Sequence, residues 1–229
     1  MRRWRWSLGR WSVRNVVRRV MLPARRRRAS KVREVICRPF LKSSDARLTT
    51  GPAVVVGDFS GTYGLARGAS YDLELLKNRH SSVQTIDVAP YLRARAGARL
   101  QLGTACENLY LFCQPDTYGA IFGLLEPSEI AEAYRVGRWV WETPLLPREW
   151  RFAEDLVHEV WTPSTYSAQA IRGGTGLPVT VVRHAVSAPP NTGLDMRGRL
   201  GIPKDAFMGL AVMDIQSCPV RKNPWAHVL

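Results

Sequence analysis

The chain has 229 residues, a formal net charge of +14 and 45% apolar residues, enough for a packed core, which excludes a wholly disordered protein. The charge is uneven, because residues 1–33 contain thirteen Arg and Lys and no acid. The remaining chain carries twenty basic against nineteen acidic residues. The basic charge therefore belongs to a terminal arm, and the body lacks the charge of a nucleic-acid-binding domain.

The basic arm, residues 1–33, is rich in Arg and Trp. Its apolar residues recur at helical spacing, with arginines on the remaining arc: Val13, Val16, Val17, Val20 and Met21. A cationic amphipathic helix suits an anionic membrane surface, where each nearby basic residue contributes about 1 kcal/mol. Nucleic-acid phosphates satisfy the same charges. The structural alternative is a solvated tail or a misassigned start.

Six short apolar runs alternate with amphipathic stretches along the body. The predicted strands are 53–56, 83–88, 108–113, 136–141, 159–161 and 179–183. The predicted helices are 65–79, one that ends near 125, one from 128, one over 150–157 and one over 162–171. This alternation predicts an α/β fold, a Rossmann-like parallel sheet with helices on both faces and right-handed crossovers.

The composition divides the chain into four parts. The basic arm is followed by a predicted Rossmann-like domain over 52–186 and by a Pro- and Gly-rich linker over 187–204. Residues 205–229 contain a predicted strand at 207–213 and the start of a helix. One strand and one helix start bury no core, so we expect 205–229 to be the truncated beginning of a second domain.

The cysteines give no sign of a metal or disulfide framework. The four residues form no CxxC pair, and with the four histidines they make no metal-ligand spacing. We expect free thiols in a reducing compartment and no metal. The sequence contains no apolar run of the roughly 18 to 20 residues that a membrane span needs, and its basic start lacks the apolar stretch of a signal peptide. These features predict a cytoplasmic protein, with a peripheral position at the inner face of the membrane as an alternative.

The segment GDFSGTYG lies between the first predicted strand and helix, where a parallel sheet forms its binding crevice. Glycines at 57, 61 and 64 would let backbone N–H groups approach an oxyanion or a sugar hydroxyl. The spacing is GxxxGxxG, so it disfavours a dinucleotide-dependent oxidoreductase even though Asp87 ends the second predicted strand. A tight turn that needs glycine for steric reasons is the structural alternative.

The stretch GRWVWETPLLPREW places Glu142 at the end of the fourth predicted strand, before a turn bounded by prolines. We expect Glu142 at the mouth of the same crevice, because the carboxyl ends of parallel strands share one edge. Trp139 and Trp141 fall on one strand face. A carboxylate beside aromatic rings suits a carbohydrate, whose hydroxyls need charged acceptors and whose C–H faces stack on rings. Packing of both tryptophans against a helix is the structural alternative.

From about Val54 onward the chain resembles the family 1/family 4 group of nucleotide-sugar glycosyltransferases, which have the two-domain GT-B fold. The strongest match is GRWVWETPLLPREWRFAEDLVHEVWTPSTYSAQAIR, with an aromatic strand, Trp-Glu, a proline turn, Glu-Trp and then V-W-x-P-S. VTVVRHAV is similar to the strand that ends the N-terminal domain, although Arg183 stands where a proline is usual. MDIQSCPVRKNPWAHVL resembles the opening of the donor-binding domain.

The resemblance implies a role for six residues but assigns no catalytic residue. Four would line the acceptor cleft: Gly61, Gly64, Glu142 and His184. Arg221 and Lys222 match the basic pair that contacts the donor diphosphate. Two cations at a strand-to-helix turn would stabilise the negative charge on a leaving diphosphate. The structural alternatives are an exposed basic pair and a packed histidine.

The implied reaction transfers a sugar from a nucleotide-diphosphate sugar to a hydroxyl of a glycan or lipid-linked acceptor, with no cofactor and no metal. Such enzymes need a complete second domain. We therefore expect the chain to be a fragment, a frameshifted reading, or one half of a complex in which a separate chain supplies the donor domain. The alternative function is a non-catalytic, degenerate binding domain that the basic arm tethers to an anionic membrane or to nucleic acid.

Overall fold

The computed structural model describes residues 34–61, 63–93, 100–103, 105–184 and 193–210, together with Val212, Asn223 and Ala226. The basic arm, Arg221 and Lys222 lie outside these residues, so the amphipathic helix and the diphosphate-binding pair stay predictions. The chain divides into two compact units, Met1–Ala185 and Val186–Leu229.

The first unit is built on a sheet of six parallel strands in the order β2-β1-β3-β4-β5-β6. The strands are β1 Ala53–Gly57, β2 Val83–Asp87, β3 Asn108–Phe112, β4 Tyr134–Arg138, β5 Glu159–Thr162 and β6 Val179–Val181. The α-helices are α1 Gly64–Lys77, α2 Ala89–Arg93, α3 Tyr118–Phe122, α4 Thr165–Gly174 and, in the second unit, α5 Met196–Arg199. The predicted α/β class with a parallel sheet is confirmed.

The strand order reverses beside β1. The chain passes from β1 to β2 on one side, and then crosses to β3 on the other side of β1. The loops that follow β1 and β3 consequently leave the sheet in different directions and open a crevice between them. This topological switch point is the place where sheets of this kind bind ligands.

Apolar side chains cover both faces of the sheet. All five residues of β1 are buried, which explains why this strand reads as a continuous apolar run. Ala53 and Val55 belong to a core cluster with Leu73 of α1. Val54 and Val56 belong to a larger cluster on the opposite face, to which α3, α4 and the segment before β5 contribute. Successive residues of a strand point to opposite faces, so one strand anchors both layers.

Two predicted helices between β3 and β5 are wrong in type. The helix expected from Ser128 is only a 3-10 turn over Pro127–Glu129. Ile130 and Ala133 are fully buried and lead directly into β4, which leaves no length for a further helix. The helix expected over 150–157 is a 3-10 helix over Arg148–Asp155.

The fourth strand begins and ends earlier than predicted, since β4 covers Tyr134–Arg138 and not 136–141. Trp139 is fully buried, and its ring centroid lies 5.9 Å from that of Trp150 in the 3-10 helix. The Trp141 ring lies 5.0 Å from the same Trp150 ring. Packing against a helical segment, the structural alternative for both tryptophans, is therefore what the fold uses. The last strand is also shorter than predicted and ends at Val181.

Residues 38–43 form an N-terminal strap that is tied to distant backbone. Lys42 Nζ donates to the carbonyl oxygens of Glu154 and Val157 at 2.7 and 2.8 Å. The buried guanidinium of Arg135 donates through Nη1 to the carbonyl oxygen of Phe40. Nε2 of His158 donates to the carbonyl oxygen of Ser43 at 2.7 Å. The strap thus adds hydrogen bonds to the core contacts of Phe40.

The second unit differs from prediction in two places. The segment expected as a linker contains α5, whose N-cap Asp195 accepts from the backbone N–H of Gly198 at 2.9 Å. The strand expected at 207–213 is not formed over 207–210, where a lone strand has no described neighbour to complete its ladder. Phe207 is 99% exposed and Leu210 is 81% exposed, as the sequence predicts for an unpartnered segment. Among the described residues, no helix has the length and apolar character to cross a membrane.

Candidate functional site

A cavity of about 260 Å³ lies at the carboxyl edge of the sheet, at the switch point between β1 and β3. Asp58 from the loop after β1 and Asp116 from the loop after β3 line it. Arg138, the last residue of β4, and His184, shortly after β6, also line it. The parallel topology therefore gathers side chains that are up to 126 positions apart in the sequence.

Apolar side chains form one wall of the cavity. They come from α1, from the ends of β2 and β3 and from the residues after β4: Leu65, Ala66, Ala69, Val88, Phe112 and Val140. Val140 is held in place by Gln114, whose Nε2 donates to the Val140 carbonyl at 2.6 Å and whose Oε1 accepts from its N–H at 3.3 Å. Gln114 therefore holds this part of the wall in place through both the nitrogen and the oxygen of its side-chain amide.

The polar floor of the cavity consists of the buried side chains of Asp72 and Arg138 and the partly exposed ring of His184. Nε of Arg138 donates to Oδ2 of Asp72 at 2.6 Å, and the two side chains are only 4% and 3% exposed. Nδ1 of His184 lies 3.3 Å from Nη2 of Arg138 and 3.7 Å from Oδ2 of Asp72. Burial lowers the pKa of Arg138, while the Asp72 carboxylate opposes that effect and keeps the guanidinium charged.

The hydrogen bond from Arg138 fixes the tautomer of His184. A guanidinium only donates, so Nδ1 of His184 accepts and the neutral ring carries its proton on Nε2. Burial, and then the charge of Arg138, lower the pKa of His184 from its ordinary value, although Asp72 raises it. The ring is therefore neutral near pH 7 and acts as a hydrogen-bond donor through Nε2.

Two atoms of this cluster are left without a partner. Oδ1 of Asp72 and Nη1 of Arg138 are buried, and neither forms a hydrogen bond to any described residue. An unpaired buried polar atom costs about 1 to 3 kcal/mol, and more when it is charged. Such atoms are rare in folded proteins and call for a specific explanation. Both atoms are closed off from solvent by their neighbours, so they lie inside the protein and not on the open surface of the cavity.

The loop that follows β1 and contains Gly61 is held together by hydrogen bonds between its own residues. Oδ1 of Asp58 accepts from the backbone N–H of Gly61 at 2.8 Å, and Oδ2 accepts from the Tyr63 hydroxyl at 2.6 Å. A Cβ at Gly61 would lie 2.6 Å from a Tyr63 ring carbon and 3.0 Å from Cβ of Ala66. Steric need in a tight turn, the structural alternative, thus accounts for Gly61. Gly64 begins α1, and a Cβ there would meet nothing within 4 Å.

Of the four predicted cleft residues, only His184 lines the cavity. Gly61 and Gly64 belong to the adjoining loop and helix start, and the N–H of Gly61 is already bonded. Glu142 lies in an exposed turn and does not line the cavity, because β4 ends four residues before it. A role for Glu142 in acceptor binding stays a prediction.

The buried pair of Asp72 and Arg138 is the part that sequence reasoning missed. Asp72 follows Ala69 by three positions and precedes Leu76 by four, so it occupies the apolar stripe of α1. Arg138 alternates with Val136 along β4 and points to the same face. An acid and a base at core positions of neighbouring elements are the signal that predicts such a pair.

Cys113 lines the cavity, but its thiol is not activated. Burial raises its pKa to about 12, and a hydrogen bond with Thr117 offsets this effect only in part. A thiol of this kind is protonated at neutral pH and is a poor nucleophile. Within the described ranges, no group of His, Cys, Asp or Glu is placed to hold a metal ion.

Comparison with family models, with curated proteins and with solved structures finds no match to the chain in any of the three.

Proposed function

We propose that residues 52–186 are the acceptor-side domain of a glycosyltransferase that uses a nucleotide-diphosphate sugar as donor. The observation that carries the proposal is the switch-point cavity, in which an apolar wall faces carboxylates and a neutral histidine. The resemblance of residues 137–172 to nucleotide-sugar glycosyltransferases supports it independently.

The cavity has the chemistry that a sugar ring needs. Carboxylate oxygens accept hydrogen bonds from hydroxyls, and the C–H face of a pyranose packs against apolar side chains such as Phe112 and Val140. A volume of about 260 Å³ is slightly below the roughly 300 to 1,000 Å³ of typical ligand pockets. The cavity therefore suits the terminal ring of a glycan or lipid-linked acceptor better than a longer chain.

The remaining parts of the reaction belong to residues outside the described ranges. Arg221 and Lys222 would contact the donor diphosphate and stabilise the charge that develops as it leaves. The basic arm would hold the protein at an anionic membrane, where a lipid-linked acceptor lies. In this scheme Nε2 of His184 donates a hydrogen bond to an oxygen of the acceptor sugar and so positions it. Because Nε2 already carries a proton, it does not serve as the base that deprotonates the acceptor hydroxyl.

Ligand-observed NMR on the 229-residue chain tests the proposal. We expect saturation transfer to mono- and oligosaccharides, and loss of that transfer in His184→Phe, which keeps a ring but removes both nitrogens. Glu149→Gln is the matched control, because Glu149 is exposed and does not line the cavity. Absence of binding to every saccharide contradicts the proposal. Saccharide binding without turnover of any nucleotide-sugar donor favours the non-catalytic alternative.

A further inference from the structure

We propose that Asp72 and Arg138 are positioning residues: together they hold the imidazole of His184 in the orientation that binds the ligand, and a proton on Nδ1 of His184 releases the ring and abolishes binding. The inference deepens the proposed function and rests on it for the saccharide that serves as probe. The state of the ring is measurable without any ligand, so the inference and the proposed function can fail separately.

The imidazole is held from two elements. Gly68 and Asp72 are four residues apart and lie on the same face of α1, and a Cβ at Gly68 would lie 3.0 Å from Nδ1 and 3.3 Å from Nε2 of His184. Nη2 of Arg138, at the end of β4, lies 3.3 Å from Nδ1. Asp72 in turn fixes Arg138, because its Oδ2 accepts from Nε at 2.6 Å. The buried pair therefore fixes a ring that is itself 32% exposed and lines the cavity.

The surroundings of Nδ1 explain why a proton on this atom releases the ring. The neutral ring accepts from Arg138 at Nδ1, whereas a protonated Nδ1 donates. A donor facing a guanidinium is repelled, and Oδ2 of Asp72 lies 3.7 Å from Nδ1 on the other side of the choice. The protonated ring would therefore turn from Arg138 toward Asp72. Nε2 moves with the ring, so the hydrogen bond that it offers to a ligand oxygen is displaced.

The charges around the imidazole oppose this proton on balance. Burial and the charge of Arg138 lower the pKa of His184, and Asp72 raises it. Arg183 is the exposed neighbour on the same segment. The other titratable side chains of the lining come from the loops after β1 and β3: Asp58, Tyr63, Cys113 and Asp116. The folded pKa of His184 lies below the ordinary value of about 6.5, so the ring stays neutral and fixed until the pH falls through the folded pKa.

NMR of the ring nitrogens in the unmodified, ligand-free chain tests the positioning directly. We expect the neutral ring of His184 to carry its proton on Nε2, and its pKa to lie below about 6.5. The spectrum of His184→Gln assigns the signals by their loss. A proton on Nδ1, an even mixture of the two tautomers, or a pKa at or above the ordinary value overturns the inference.

Two substitutions should shift the pKa of His184 in opposite directions. Arg138→Met removes a positive charge beside the Asp72 carboxylate, so the pKa should rise by about one pH unit or more. Asp72→Asn keeps the guanidinium and removes the negative charge, so the pKa should fall further. A general loosening of the fold would raise both toward the ordinary value, so two shifts of the same sign overturn the inference. Glu74→Gln, exposed on the same helix, should cause no shift. If either variant does not fold, the tautomer and pKa of the unmodified chain decide.

The pH dependence of binding connects the ring to the ligand. The saccharide that gives saturation transfer with the unmodified chain is titrated at a series of pH values that passes through the measured pKa of His184. Its affinity should be constant above that pKa and fall about tenfold per pH unit below it, because the bound state excludes the proton. With Arg138→Met the fall should begin at a higher pH. Constant affinity through the measured pKa overturns the inference and leaves the saccharide site in place, whereas binding of no saccharide overturns the proposed function.

Discussion

His158 is held neutral by its burial and by the partner of its Nδ1 atom. Nδ1 of His158 accepts from the backbone N–H of Arg135 at 2.8 Å, and Nε2 donates to the carbonyl oxygen of Ser43 at 2.7 Å. Burial is the main cause that lowers the pKa of His158, and its backbone bond to Ser43 only partly opposes this. A proton on Nδ1 would break the bond to Arg135, so the imidazolium does not fit the site.

This arrangement predicts a loss of stability in mild acid. The folded pKa of His158 lies below the unfolded value of about 6.5, so the unfolded chain binds more protons as the pH falls below that value. The contribution of His158 to the free energy of unfolding is fully present above about pH 6.5 and is lost as the pH falls through the folded pKa. Thermal melts should show a Tm that drops by a few degrees between pH 7 and pH 5. The drop should be smaller in His158→Gln, and an identical drop in that variant would contradict the assignment.

The buried pair of the cavity floor makes a second prediction. Asp72→Asn leaves the Arg138 charge buried without its carboxylate, and loss of one partner of such a pair costs about 3 to 5 kcal/mol. Glu74→Gln on the same helix is the matched control, because its pair with Lys77 is exposed at 69% and 49%. In urea unfolding, the free energy of unfolding of the Glu74→Gln control should lie within about 0.5 kcal/mol of that of the unmodified chain. Equal losses of stability in the two variants would show that the buried pair contributes no more to the free energy of unfolding than the exposed pair does.

At the scale of elements, α1 and the segment that follows β6 meet at a glycine. A Cβ at Gly68 would lie 2.6 Å from Cε1 of His184, whereas a Cβ at Gly64 on the same helix would meet nothing within 4 Å. Gly68 is therefore the position at which α1 makes room for the imidazole. The helix accepts a residue of poor helical propensity for the sake of the site.

The two glycines give a third prediction with its own control. Gly68→Ala should weaken saccharide binding by displacing His184, because the imidazole has to move by several tenths of an ångström or more. Gly64→Ala should not weaken it. Both variants gain up to about 1 kcal/mol of helical propensity, so global instability does not account for a loss of binding in Gly68→Ala. NMR titration of the two variants measures the difference, and equal affinities would exclude the steric role.

The accuracy of the sequence prediction also differs by element. The first, second, third and fifth strands were placed to within a residue or two, because their apolar runs are bounded by polar residues and glycine. The predicted start of β4 is two residues late because sequence reasoning treats Arg135 as a surface residue, and Arg138 lies inside the predicted strand but its burial is not expected. Their partners, the Phe40 carbonyl and Asp72, come from segments far along the chain. Local pattern does not reveal such pairs, and the cavity floor was missed for the same reason.

At the scale of the whole molecule, the cavity belongs to the first unit alone. Its lining ends at His184, and the unit ends at Ala185. A chain that stops at Ala185 should therefore keep its Tm and its saccharide affinity, measured by thermal melts and NMR titration. A Tm lower by more than about 4 °C would show that residues 186–229 contribute to the stability of the first unit.

The basic arm makes a prediction of its own. The full chain should co-sediment with liposomes that contain anionic lipid, and a chain that starts at Glu34 should not, because thirteen basic residues are removed. Binding of the full chain should weaken as salt is raised. Equal sedimentation of the two chains would contradict a membrane role for the arm. Complete competition by RNA would show that the arm binds anionic partners nonspecifically, whether lipid or nucleic acid.

The N-terminal strap has a consequence for the order of events during synthesis. Lys42 and Ser43 leave the ribosome early, but the groups that they bond lie 112 to 115 residues later. At about 5 to 20 residues per second, translation separates these partners by roughly 6 to 23 s. Phe122, whose ring centroid lies 5.0 Å from that of Phe40, is made earlier, so Phe40 gains this ring contact before the strap gains its hydrogen bonds. The strap of the nascent chain therefore lacks its hydrogen bonds to residues 154–158 until the segment around the start of the fifth strand emerges, a delay in which a ribosome-associated chaperone has time to bind.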